Sequence, residues 1–182
     1  MNAMRDHRSR EFVLVPFCCL AQAFQARGLV RGPWRGIIAP VLEELLHKDV
    51  NVIQMPCPEA LFGGLTLGLT RQPMSYAQYD TPEFREHCRQ LAQGVAEQVE
   101  SLLRSGYAVK AILGLEYSPS CAASLQYTRR GTVHRQGIFV EELCASLSAR
   151  QIDVPVIGIN KRGISASLSR LRDALSKQGT LL

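Results

Sequence analysis

Three short apolar, β-branched runs in this chain each lead into a cysteine, and that recurrence limits the folds open to it. Phe12-Val13-Leu14-Val15-Pro16-Phe17-Cys18 leads into Cys19, and Val50-Asn51-Val52-Ile53-Gln54-Met55-Pro56 leads into Cys57. Ala111-Ile112-Leu113-Gly114-Leu115-Glu116-Tyr117-Ser118-Pro119-Ser120 leads into Cys121. Runs of this kind read as buried strands. Helical patterns separate them, and strands that alternate with helices build a mainly parallel sheet. The expectation is a three-layer α/β fold with helices on both faces of the sheet. In an open parallel sheet the carboxyl ends of the strands share one edge, where ligands bind. Thiols far apart in sequence would then converge.

The helical segments carry their own signals. Residues 37–47 place Val41, Leu42, Leu45 and Leu46 toward the sheet, with Pro40 near the start. Thr81-Pro82-Glu83 opens a second helix with a cap residue followed by proline, and its stripe is Phe84, Cys88, Leu91, Val95, Val99, Leu102 and Leu103. A third helix spans 139–150, with Leu143, Cys144 and Leu147 inward. A fourth strand spans 154–159, and a last helix, 165–177, carries Leu168, Leu171 and Leu175. Two connections, 60–80 and 122–137, are too long to be simple loops, and long loops in compact domains are commonly functional. Both follow a cysteine.

The 182 residues suit one domain, 12–182, behind a frayed tail, 1–11. The tail is polar and has no apolar segment behind it, so it does not read as a secretory signal. No apolar run approaches the roughly 20 residues of a membrane span. A cytoplasmic, reducing location follows, where six cysteines are metal ligands or core thiols rather than disulfides. The net charge of +5 is mild. Its one local cluster, Arg129-Arg130-Gly131-Thr132-Val133-His134-Arg135, lacks aromatic interleaving and reads as a solvated loop rather than a nucleic-acid contact.

The cysteines divide by context. Cys88 and Cys144 lie on apolar helix faces, where cysteine acts as a small hydrophobe. Cys18 and Cys19 are adjacent, so their side chains diverge and one of the two is the ligand. Cys57 is flanked by Pro56 and Pro58, which stiffen the strand end. Cys121 sits in another rigid turn, Ser118-Pro119-Ser120. Three convergent thiolates suit an iron–sulfur cluster or zinc with one coordination position open; the competing reading is three inert cysteines at strand ends.

In order and spacing these motifs resemble the thiouracil desulfidase (TudS) family and its relatives of unknown substrate. The matching stretches are Cys19-Leu20-Ala21-Gln22, Gln54-Met55-Pro56-Cys57-Pro58-Glu59 and Ser118-Pro119-Ser120-Cys121, with Leu69-Thr70-Arg71-Gln72-Pro73 resembling the family's glycine- and proline-bearing loop. The resemblance runs over residues 12–158. It implies a 4Fe–4S cluster held by Cys19, Cys57 and Cys121 with one open iron, and Glu59 and Ser118 as catalytic residues. Cys18 is the rival for the first position; Leu20 after Cys19 matches the motif. Ala122 and Ala21 depart from the family pattern, each beside a ligand.

The implied reaction removes sulfur as hydrosulfide from a thiolated small molecule: a thiouracil-like base, a nucleotide or a thioamide. Glu59 would take a proton from water and Ser118 would orient the substrate or donate to a developing anion. A sulfur acceptor is a further partner that such chemistry admits. The competing class is a non-catalytic iron–sulfur or zinc sensor or sulfur carrier. A cysteine-nucleophile hydrolase would need a base beside one thiol, and no Cys/His pairing is visible.

Overall fold

The computed structural model describes residues 7–177, 179 and 180. In chain order its elements are β1 (Glu11–Pro16), α1 (Phe17–Leu20), α2 (Ala39–His47), β2 (Asn51–Met55), α3 (Pro58–Leu61), α4 (Tyr76–Tyr79) and α5 (Pro82–Arg104). There follow β3 (Ala108–Leu115), β4 (Leu125–Thr128), β5 (Gly131–His134), α6 (Ile138–Ser148), β6 (Val156–Ile159) and α7 (Ile164–Ser176), with single 3-10 turns at Gln22–Phe24 and Lys161–Gly163.

Strands pair in the order β2-β1-β3-β6, all parallel. Successive side chains of β1 serve opposite faces. Leu14 joins the core formed with α5 and α6, whereas Val13 and Val15 join the one formed with α2 and α7. That is the expected three-layer α/β architecture. Because β1 lies between β2 and β3, the chain leaves it in one direction and later returns to its other side. The crevice outside the carboxyl end of β1 is therefore a topological switch point, the place where open α/β sheets bind ligands.

Local chemistry explains the element ends. The Thr81 hydroxyl accepts from Phe84 N at 3.2 Å and caps α5. The buried face of that helix is Phe84, Cys88, Ala92, Val95, Ala96, Val99 and Leu103. In α2 only Val41 and Leu45 are buried, and Leu46 is 75% exposed. One residue past Leu45 is about 100° around the helix and off its buried stripe. β1 stops at Pro16, and Phe17–Leu20 form one helical turn, so Cys18 and Cys19 lie on a turn rather than a strand.

The connection 122–137 is not an irregular loop. It folds as an antiparallel hairpin of β4 and β5, with Leu125 opposite His134 and Thr128 opposite Gly131. The connection 60–80 contains α4 before Thr81 opens α5. Of the expected tail, residues 1–6 lie outside the described residues, and Glu11 already belongs to β1. Among the described residues no helix is long and apolar enough to cross a membrane.

Candidate active site

A cavity of about 560 Å³ opens beside the carboxyl ends of β1, β2 and β3, and Cys18, Cys57 and Cys121 all line it, together with Glu59, Ser118 and Ser120. Each thiol is placed by the turn that follows its strand. Cys57 precedes α3, and its carbonyl accepts from Leu61 N at 3.1 Å. The chain after β3 folds back on itself: Leu115 N donates to the Cys121 carbonyl at 2.9 Å, and Cys121 N donates to Ser118 Oγ at 3.0 Å. Gly137 makes room for that turn, since a Cβ there would fall 2.3 Å from the Ser120 carbonyl carbon.

Cys19, expected from the Cys-Leu motif to be the first ligand, is fully buried in the core beside Val13, Ile38 and Val41 and is not among the cavity residues. Cys18 faces the cavity in its place. Neighbours in a helical turn point about 100° apart, and here Cys18 is the one that lines the cavity. Cys88 is buried between α5 and the core, and Cys144 is half-buried, its sulfur accepting from Gln136 Nε2 at 3.7 Å; neither lines the cavity.

All three cavity thiols favour their neutral form. A hydrogen bond with Cys19, then burial, holds Cys18 well above the usual thiol range, with Glu59 adding and Lys161 opposing. Burial does the same to Cys121, with Cys18 and Cys57 adding. Burial, then Cys18 and Glu59, pushes Cys57 from 9.0 up to about 12. Burial also pushes Cys88 from 9.0 to about 12. For the metal-free protein the sign follows. Below pH 9 the thiols are neutral folded or unfolded, and their burial costs nothing in charge. Above it the unfolded chain ionises first, so stability falls progressively from pH 9 to about 12. The urea midpoint of the metal-free protein should be nearly flat just below pH 9 and fall above it, and Cys57→Ser should reduce the drop. A midpoint independent of pH over that window would contradict these thiol environments.

Glu59 is held by three side chains. Its Oε1 accepts from Ser120 Oγ at 2.6 Å and Ser118 Oγ at 3.2 Å, and its Oε2 pairs with Arg71. The pair is nearly closed to solvent, with Arg71 8% and Glu59 12% exposed. An ionised carboxylate offers about four acceptor directions. Three are filled, which leaves one for water or substrate in the cavity. Both serine hydroxyl protons are directed at Glu59, so the expected Ser118 lies beside the carboxylate and helps to orient it. Ser120 also approaches Cys121 Sγ, at 3.4 Å, and so links the carboxylate to a candidate ligand.

The far wall of the cavity is aromatic and basic. Tyr117 and Tyr127 stack with centroids 4.0 Å apart at 10°, and Arg162 donates to the Tyr127 hydroxyl at 3.1 Å. Tyr117 has φ 66, the left-handed region, and its N–H donates to the Leu125 carbonyl at 2.9 Å. Trp34, Arg31 and Lys161 complete this end. Lys161 Nζ is held by Gln25 Oε1 at 2.7 Å, and burial lowers its pKa. The buried Glu116 carboxylate takes Ser124 N, Ser124 Oγ and Leu125 N, which ties the β4–β5 hairpin to the end of β3.

The donor set bears on what could be bound. Among the described residues no group of three or more His, Cys, Asp or Glu closes on a point where one metal ion would sit. A single zinc needs its ligands within about 2.3 Å of one centre. A cubane cluster takes each thiolate at a different iron and so accepts donors set further apart. Cys18, Cys57 and Cys121 are soft donors of the type that iron–sulfur clusters take.

No protein-family model matches the chain. It is 29% identical over 114 residues to the uncharacterized protein MJ0003 of Methanocaldococcus jannaschii, a match covering 63% of this chain and 69% of that protein. Its fold is similar to that of the [4Fe-4S]-dependent thiouracil desulfidase TudS. The TM-score is 0.50 at 20% sequence identity, over 88% of this chain and 97% of the TudS chain.

Proposed function

We propose that this protein is an iron–sulfur-dependent desulfidase that removes sulfur, as hydrosulfide, from a thiolated small molecule. The observation that carries this reading is the single cavity shared by Cys18, Cys57, Cys121 and Glu59. The likeness of fold to a [4Fe-4S]-dependent thiouracil desulfidase supports it. Cys18, Cys57 and Cys121 would hold the cluster, with Cys18 in the position that the family resemblance gives to Cys19. Bound there, a 4Fe–4S cluster would supply an iron with an open position to a soft sulfur donor.

The chain's own groups do the rest. Glu59, oriented by Ser118, Ser120 and Arg71, uses its remaining acceptor direction to hold a water and take its proton as that water attacks the carbon bearing sulfur. Such general-base help is typically worth about 10²–10⁴-fold. Tyr117, Tyr127 and Trp34 line the cavity, and an aromatic lining suits a thiouracil-like base, alone or within a nucleotide, better than an aliphatic thioamide. The free cysteines suit a reducing, cytoplasmic setting, and residues 12–182 would act as one unit.

Anaerobic reconstitution tests the reading. The protein is expected to take up about four iron and four sulfide per chain and to release hydrosulfide from 2-thiouracil or 4-thiouracil, their nucleotides, or a small thioamide. A full cluster with no hydrosulfide from any of these would replace the enzyme reading with that of a sensor or sulfur carrier.

A further inference from the structure

We infer that Arg71 is the positioning residue of this site: its guanidinium fixes the Glu59 carboxylate relative to the turn that carries Cys18. The kinetic part of the inference rests on the desulfidase reading, and the geometric part does not.

Arg71 comes from the connection between α3 and α4, outside every strand, yet its side chain is 8% exposed. Burying a guanidinium is costly unless its donors are met. Two are met by groups from different parts of the chain: Nη1 donates to Glu59 Oε2, and Nη2 donates to the Phe24 carbonyl. The Phe24 ring in turn stacks on Phe17, centroids 3.6 Å apart at 26°, and Phe17 opens the turn that holds Cys18. A continuous path therefore runs from Glu59 through Arg71, Phe24 and Phe17 to the first thiol.

The backbone holds Arg71 in that place. Gly68 N donates to the Ala23 carbonyl at 2.7 Å, and Arg27 N donates to the Arg71 carbonyl at 2.9 Å. The first approach requires glycine, since a Cβ at Gly68 would lie 1.7 Å from the Gln25 carbonyl oxygen. The connection is thus docked along residues 23–27, with Arg71 turned inward at the end of the docked stretch. The planar fork serves the Glu59 carboxylate from one terminal nitrogen and the Phe24 carbonyl from the other. A lysine would keep the charge and lose the span.

Four reconstituted proteins beside wild type test this: Arg71→Lys, Arg71→Met, Glu59→Gln and the double variant Arg71→Met/Glu59→Gln, each assayed for iron content, kcat, KM and thermal unfolding. Arg71→Met should lower kcat about 10- to 10²-fold, the range for a misplaced catalytic group, with KM and iron content little changed. Arg71→Lys should restore only part of the rate. In the Glu59→Gln background Arg71→Met should change kcat by less than about 2-fold, because the residue it positions is already gone. A full, multiplicative loss in that background overturns the inference, as does a raised KM with kcat intact, which would make Arg71 a substrate contact. Loss of iron in both Arg71 variants also overturns it, by making Arg71 a residue of the fold alone. Should the wild-type holoprotein release no hydrosulfide, the functional reading fails separately. Thermal unfolding of the same proteins then decides the geometric claim: coupling between Arg71 and Glu59 upholds it, and additivity overturns it.

Discussion

Glu59→Gln is expected to leave the iron content of the reconstituted protein unchanged and to slow hydrosulfide release at least about 10²-fold, the lower end for a lost general base. The amide keeps the shape of the side chain, and its oxygen can still accept from Ser118 or Ser120. It loses the charge and one acceptor site, and with them the ability to take a proton from water. The same change strands Arg71, whose buried guanidinium has Glu59 as its only carboxylate partner among the described residues. Breaking one side of a buried ion pair typically costs about 3–5 kcal/mol. The variant should therefore also melt earlier, and its rate must be read well below that transition. Hydrosulfide release at the wild-type rate by a folded, iron-loaded Glu59→Gln protein would dismiss Glu59 as the base.

The second large effect concerns the ligands. Cys18→Ser, Cys57→Ser and Cys121→Ser should each lose most of the iron after reconstitution, because a serine hydroxyl is a harder and far less acidic donor than a thiol. Cys19→Ser should retain it. That variant instead places a hydroxyl in an apolar core beside Ile38 and Val41, at a cost of about 1–3 kcal/mol in stability. Iron content and melting temperature thus move in different patterns for two adjacent residues. Iron lost in Cys19→Ser and kept in Cys18→Ser would return the first position to Cys19.

The pair also shows what sequence can and cannot carry. The strand cores were legible because Val13, Leu14, Val15, Ile112 and Leu113 form unbroken apolar runs that only a sheet covered on both faces can bury. The start of α5 was legible because Thr81-Pro82 is a local signal. Which of Cys18 and Cys19 lines the cavity was not, because it depends on where the strand gives way to a helical turn. A strand through Cys19 and a turn from Phe17 place opposite members of the pair at the sheet edge. The β4–β5 hairpin escaped because its strands are four residues each and mostly exposed, with Gln126 buried on β4 and no apolar alternation. Arg71 and Ser120 stood inside recognised stretches, yet their bonds to Glu59 join residues 12 and 61 positions away in the chain. No local pattern records such a meeting.

The strand order has a consequence for how the protein would be made. Pairing of β1 with β2 brings together the turns carrying Cys18 and Cys57, and both strands leave the ribosome early. Cys121 joins them only after α5 has formed and β3 has inserted on the other side of β1. Domains fold as units while synthesis proceeds at about 5–20 residues per second. A nascent chain that has reached the end of α5 therefore carries two of the three cavity thiols, Cys18 and Cys57. On the desulfidase reading, iron and sulfide would therefore be delivered to a finished sheet rather than to the growing chain.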